Sequence, residues 1–223
     1  MTGLYVMATL LILSLPRTGT ISLRGGAWGD LKDGLRYIRA NTILLALLLL
    51  TLVTVLLSMP YMFLLPIFTE EILDVGAQGL GALVSVSGLG AVIGSLVIAS
   101  LGNRNRGRLL IFSALMLGVG LIGFSISTWY LVSLLFIIPV GLGNAGRMAL
   151  SNTLLQSYVE KEYRGRVMSI YMMEFGLTSF ATFGASILTE FTGVQWAVGG
   201  LAGMLVLVTL YYIAFVPTMR RLD

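Results

Sequence analysis

The chain has 223 residues, of which 57% are hydrophobic and only 11% charged, with a net charge of +4. A soluble domain carries roughly 25% charged residues, so this chain has too little polar surface to coat a water-exposed globule, and lipid is the solvent that fits. It contains no Cys and no His, which excludes disulfides, thiolate catalysis and Cys/His metal sites; no cofactor or metal is expected.

Seven apolar segments follow one another, at 3–15, 43–68, 80–101, 109–127, 131–155, 167–188 and 196–216. None shows the period-2 alternation of a barrel strand, so the expected fold class is an all-α membrane protein with seven transmembrane helices. Segment 3–15 falls short of the roughly 20 residues a span needs. No positive charge precedes it and Pro16-Arg17 follows it, unlike a signal peptide, so it reads as a span with a missing or ill-defined start. The other six meet the span length of about 17–25 residues.

The linker 16–41 carries Trp28, Leu31, Leu35 and Ile38 at helical spacing, with Asp30, Lys32, Asp33, Arg36 and Arg39 on the other side. This predicts an amphipathic helix on the membrane surface with Trp28 at headgroup level, against the plainer reading of a solvated connector. The second span contains Pro60 and Pro66, the latter read either as a bend or as the end of the helix.

In the third span Ser87, Ala91 and Ser95 recur every four residues beside Gly90-x-x-x-Gly94. Small residues so spaced predict a close helix contact. The fifth span holds Pro139, Gly141, Gly143 and Gly146 together with Asn144 and Arg147, a cluster suited to bending. Arg147 and Glu174, in the fifth and sixth spans, are the ionisable residues that no loop explains. Charges at membrane depth are costly and face a bundle interior or an aqueous cavity. The competing reading has Arg147 snorkelling to headgroups and Glu174 hydrated near the interface. Counted from the helix ends, Arg147 lies about 15 Å deep and Glu174 about 10 Å deep.

Thirteen of the fourteen Lys and Arg residues fall in alternate loops: the linker 16–41, the turn at 104–108, the turn at 161–166 and the carboxy terminus. The intervening loops hold Glu70, Glu71, Asp74 and Glu190 and not one basic residue. The positive-inside rule predicts an amino terminus outside and a carboxy terminus in the cytoplasm, multi-pass in the cell inner (plasma) membrane. Basic residues so distributed follow membrane topology, and no nucleic-acid partner is implied.

The loop Asn103-Arg104-Asn105-Arg106-Gly107-Arg108 resembles a degenerate G-x-x-x-D-R-x-G-R motif of the major facilitator superfamily, with Asn103 at its acidic position and one residue of extra spacing. Asn152-Thr153-Leu154-Leu155-Gln156 with Tyr163-Arg164-Gly165-Arg166-Val167-Met168-Ser169 is similar to the join of the tenth and eleventh helices in the enterobactin-exporter-like branch. The linker helix followed by Ile43-Leu44-Leu45 looks like that branch's central loop. The resemblance implies a carboxy-terminal half, helices six to twelve: a preceding helix (1–15), a cytoplasmic linker (16–41) and a six-helix bundle (42–223). It further implies proton-coupled export of a small-molecule substrate by alternating access, between this half and a missing amino-terminal half. Without the carboxylate at Asn103, the charge relay assigned to that loop loses its acid. Two other classes compete. A prenyl- or headgroup-transferase needs clustered carboxylates for Mg²⁺, which Asp30, Asp33, Glu160 and Glu162 do not supply; a non-transporting assembly subunit is the other.

Overall fold

The computed structural model describes residues 26–102, 105–216, 218–219, Met7 and Leu222. The predicted span 3–15, apart from Met7, and the motif residues Asn103 and Arg104 lie outside them. Among the described residues every element is helical: α1 (Gly26–Ala40), α2 (Thr42–Ser58), α3 (Pro60–Glu71), α4 (Gly76–Ser100), α5 (Arg106–Ile126), α6 (Tyr130–Tyr158), α7 (Arg164–Thr192) and α8 (Val194–Phe215).

The boundaries have local causes. Asn41 caps α2, its Oδ1 accepting from the backbone N–H groups of Ile43 and Leu44 at 3.2 and 3.3 Å, which satisfies two of the donors a helix start leaves open. The second predicted span divides at Met59 because Pro60 brings no N–H to the ladder. Together α2 and α3 still form one apolar crossing, Thr42–Glu71. Pro66 does not end it: α3 runs on to Glu71. Gly193, at φ 84°, turns the chain from α7 into α8, a backbone conformation open to glycine at little cost.

Among the described residues, five helical units are long and apolar enough to cross a membrane: the α2–α3 unit, α4, α5, α6 and α8. The sixth predicted span corresponds to α7, which has 29 residues but is not among those five. Its Ser, Thr and Gly residues and Glu174 lower its hydropathy, as suits a helix whose faces meet protein and polar space as well as lipid.

Helix α6 packs between α4 and α5, and α5 packs also against α8. The α4–α6 contact is a backbone approach. A Cβ at Gly90 would lie 2.5 Å from the Ile138 carbonyl oxygen and one at Gly94 2.8 Å from that of Leu142, while a Cβ at Gly141 would collide with the Ser87 carbonyl. Such proximity is how helices gain dispersion contact where no hydrophobic force joins them. Of the predicted small-residue stripe, Gly90 and Gly94 are buried, Ser87 and Ala91 half-buried. Ser95 is exposed and donates to its own helix at Ala91 O, 2.9 Å; the contact runs one position to the side of the predicted face.

The linker helix departs from the predicted pattern at one charge. Gly34 and Ile38 are its buried positions, and Trp28, 77% exposed, stands clear of the bundle. Asp30, placed by the sequence pattern on the solvated side, turns inward to an ion pair with Arg166 of α7 at 2.7 Å. The ring of Tyr37 stacks on Tyr163 with centroids 4.2 Å apart. An inward face built on Gly34 suits a close approach to α7, where a Cβ would already meet Arg166 and Ile170 side chains at 3.2 and 3.0 Å.

The apolar interior forms two clusters. One joins Ile38, Leu44, Leu110, Leu154, Val167 and Met219. The other joins Tyr61, Phe68, Leu83, Phe124, Ile137 and Val194. The basic segments lie at the first cluster: α1 against the start of α7, and Gly107 against the carboxy-terminal residues Met219 and Leu222. An orientation with this end in the cytoplasm predicts that Cys introduced at Asn105, Gly165 or Thr218 is shielded from an impermeant maleimide applied outside intact cells. Cys at Gly76 or Gln195 is expected to label. The absence of native Cys makes the assay clean, and external labelling at Asn105→Cys would invert the topology.

Candidate functional site

Between the two apolar clusters the sequence of each core helix switches to polar residues. On α2 these are Thr51, Thr54 and Ser58, on α5 Ser113, on α6 Asn144 and Arg147, on α7 Glu174 and on α8 Thr209. All but Asn144 are buried. A polar layer inside a membrane bundle is expensive unless its members satisfy one another, and hydroxyls do so through their own helices: Thr54 Oγ1 donates to Leu50 O at 2.7 Å and Thr209 Oγ1 to Leu205 O at 2.8 Å.

The charged members are less completely satisfied. Arg147 is 1% exposed, so its guanidinium does not snorkel to headgroups. Its Nη2 donates to Asn144 Oδ1, one turn earlier, at 3.0 Å, leaving Nε and Nη1 without protein acceptors. Glu174, 4% exposed, accepts at Oε1 from Thr51 Oγ1 at 2.9 Å, and Oε2 has no protein donor. Arg147 and Glu174 make no direct ion pair. Glu174 and Tyr171 are the ionisable side chains close to Arg147. The Tyr171 ring packs edge-on to Phe175 at 6.1 Å, and its hydroxyl is likewise buried without a protein partner.

The geometry therefore brings together Arg147, Asn144 and Glu174 of the sequence-based candidates and adds Thr51 and Tyr171. Thr51 hides in the sequence as one hydroxyl within a leucine run; Tyr171 lies three residues before Glu174, the spacing that puts two side chains on one helix face. Thr51 Oγ1 also lies 3.0 Å from Leu48 O. A hydroxyl has one proton, so an ionised Glu174 draws it, whereas a protonated Glu174 can donate to Thr51 and release that proton to Leu48 O.

The loop candidates serve elsewhere. Gly107 N donates to Leu222 O at 3.1 Å, and a Cβ there would collide with the Met219 carbonyl, so the glycine in the Arg-Gly-Arg loop seats the carboxy-terminal segment. Arg106 and Arg108 flank it at the start of α5. Arg164 donates from Nη2 to Gln156 O at 3.0 Å, tying the α6–α7 turn, and Arg166 holds Asp30. Gly165 lines an open groove along α7 with Met168, Ser169, Met172, Met173 and Gly176, on the side of the helix away from Glu174.

A family model described as Major Facilitator Superfamily matches residues 47–222. The chain belongs to the Major Facilitator Superfamily. Membership accounts for the multi-pass helical architecture and assigns the chain to a family of membrane transport proteins, not enzymes. The chain is similar to a low-affinity glucose transporter of Saccharomyces cerevisiae, 31% identical over 147 residues, covering 63% of this chain and 26% of that protein. A D-xylose transporter of Levilactobacillus brevis is 30% identical over 138 residues, covering 60% and 30% respectively. Hexose transporter 2 of Kluyveromyces lactis is 29% identical over 147 residues, covering 63% and 26%. The matches thus span under a third of the length of these curated relatives.

Proposed function

We propose that the chain is the carboxy-terminal bundle of a secondary carrier in the cell inner membrane, exporting small organic molecules in exchange for protons. The observation that carries this reading is the buried Arg147–Glu174 layer, with three polar atoms of the two side chains left open. A carboxylate at membrane depth whose neighbour Thr51 can either donate to it or accept from it suits a group that gains and loses a proton. The stretch Tyr163-Arg164-Gly165-Arg166-Val167-Met168-Ser169, which resembles the enterobactin-exporter-like branch, supports the export direction.

Transport in this reading needs two bundles, because alternating access rocks one half against the other around a site at their interface. The exposed face of α7, with Met172, Met173, Phe180 and Phe183, supplies apolar surface for such an arrangement. Reconstituted alone, the chain is expected to move no substrate above empty vesicles; flux by the chain alone would show that it needs no second half.

The relatives favour a second reading, a monosaccharide carrier. Flux measured in proteoliposomes holding this bundle with an amino-terminal bundle separates the two. Export by proton exchange predicts that an acidic interior drives uptake of enterobactin or a similar organic solute above equilibrium. A monosaccharide carrier instead moves D-glucose or D-xylose and leaves the organic solute outside. No flux of any of them, with both bundles folded, would favour a non-transporting assembly subunit.

A further inference from the structure

Helix α1 carries two stripes, and its contacts with the bundle use one of them. Asp30, Gly34, Tyr37 and Ile38 face inward: Asp30 pairs with Arg166, Tyr37 stacks on Tyr163 and accepts from the Glu160 backbone N–H at 3.3 Å, and Gly34 and Ile38 are buried. These contacts fix the rotation of the helix about its own axis. The opposite stripe is Trp28, Lys32, Leu35 and Arg39, spaced at i, i+4, i+7 and i+11, with Arg36 beside it. All five are exposed, Trp28 by 77% and Leu35 by 39%. No ion pair engages Lys32, Arg36 or Arg39 among the described residues, where Asp30–Arg166 is the salt bridge found. Asp33 is the acidic residue near this stripe, and it leaves the face with a net positive charge.

We propose that this stripe is a binding site for anionic phospholipid headgroups. An aromatic and an aliphatic side chain between basic ones is a surface that water solvates poorly and a protein core cannot take. At an interface the Trp28 ring and Leu35 enter the headgroup boundary, while the Lys and Arg termini meet phosphate oxygens. A zwitterionic surface satisfies the apolar pair alone; the three cations add attraction only where the leaflet carries net negative charge. The Asp30–Arg166 pair holds the stripe in place, because it anchors α1 to α7. The consequence is a lipid contact one helix removed from Glu174. The proposal does not depend on what the carrier moves.

The test is quenching of Trp28 fluorescence in the whole chain reconstituted in lipid, with Trp129→Phe and Trp196→Phe removing the other two indoles. Acyl-brominated phosphatidylglycerol at a fixed mole fraction in phosphatidylcholine is compared with brominated phosphatidylcholine at the same fraction in unbrominated phosphatidylglycerol. The expected result is quenching at least about twofold stronger by the brominated anionic lipid. The preference is expected to vanish in Lys32→Gln/Arg36→Gln/Arg39→Gln and to weaken in 0.5 M salt within the unaltered chain, which needs no variant to fold. Equal quenching by both lipids would leave a merely apolar anchor and overturn the proposal. Quenching by neither would mean that protein or water, not lipid, covers the stripe, and would overturn it as well.

Discussion

Replacing Arg147 by Gln is expected to cost about 3 kcal/mol of unfolding free energy in mixed micelles, because it leaves the Glu174 carboxylate buried without its nearest positive charge. Glu174→Gln is expected to cost a similar amount, stranding the guanidinium, of which only Nη2 has a protein acceptor. The pair of substitutions removes both charges and leaves two neutral amides, so the double variant should lose less than the sum of the single losses by about 1–2 kcal/mol. That difference is the coupling. Strict additivity would mean that the two charges share a layer without interacting, and wild-type stability in both single variants would mean that water reaches the site.

The second large effect concerns the α4–α6 contact. Gly141→Ala places a methyl into the backbone carbonyl of Ser87, and backbone cannot rotate away as a side chain can. The helices must part, at a cost of about 2 kcal/mol. Gly88→Ala, on the α4 face where a Cβ meets nothing within 4 Å, serves as the control and should stay within about 0.5 kcal/mol of the unaltered chain. Equal behaviour of the two variants, read from denaturant titrations, would mean that α4 and α6 do not approach as closely as their glycines allow.

The helical plan was legible in the sequence because apolar runs of membrane length admit few other structures. Arg147 and Glu174 stood out for the same reason, since a charge within such a run has no solvent to justify it. Other features were not legible. Asp30 and Arg166 are separated by 136 positions, and a helical wheel drawn for α1 alone assigns every charge to the water side. Its inward face rests on a glycine, which hydrophobic periodicity does not register. Thr51 is one hydroxyl among many that bond to their own helix, and only the position of α7 against α2 distinguishes it. In the sequence Gly107 is one position of a loop motif, whereas in the structure its small size seats the carboxy-terminal segment. In each case the missing information was which helices are neighbours.

In the proposed mechanism Glu174 carries the proton that couples transport, and proton movement driven by substrate decides whether it does. Vesicles containing this bundle with an amino-terminal bundle, loaded with a pH-sensitive dye, receive a gradient of whichever solute the flux assay identifies. The unaltered protein is expected to acidify or alkalinise the lumen as the solute moves. Glu174→Gln is expected to exchange labelled for unlabelled solute while moving no protons, since an amide cannot ionise but keeps an acceptor for Thr51. Proton movement at the wild-type rate in Glu174→Gln would contradict the claim and assign coupling to another group.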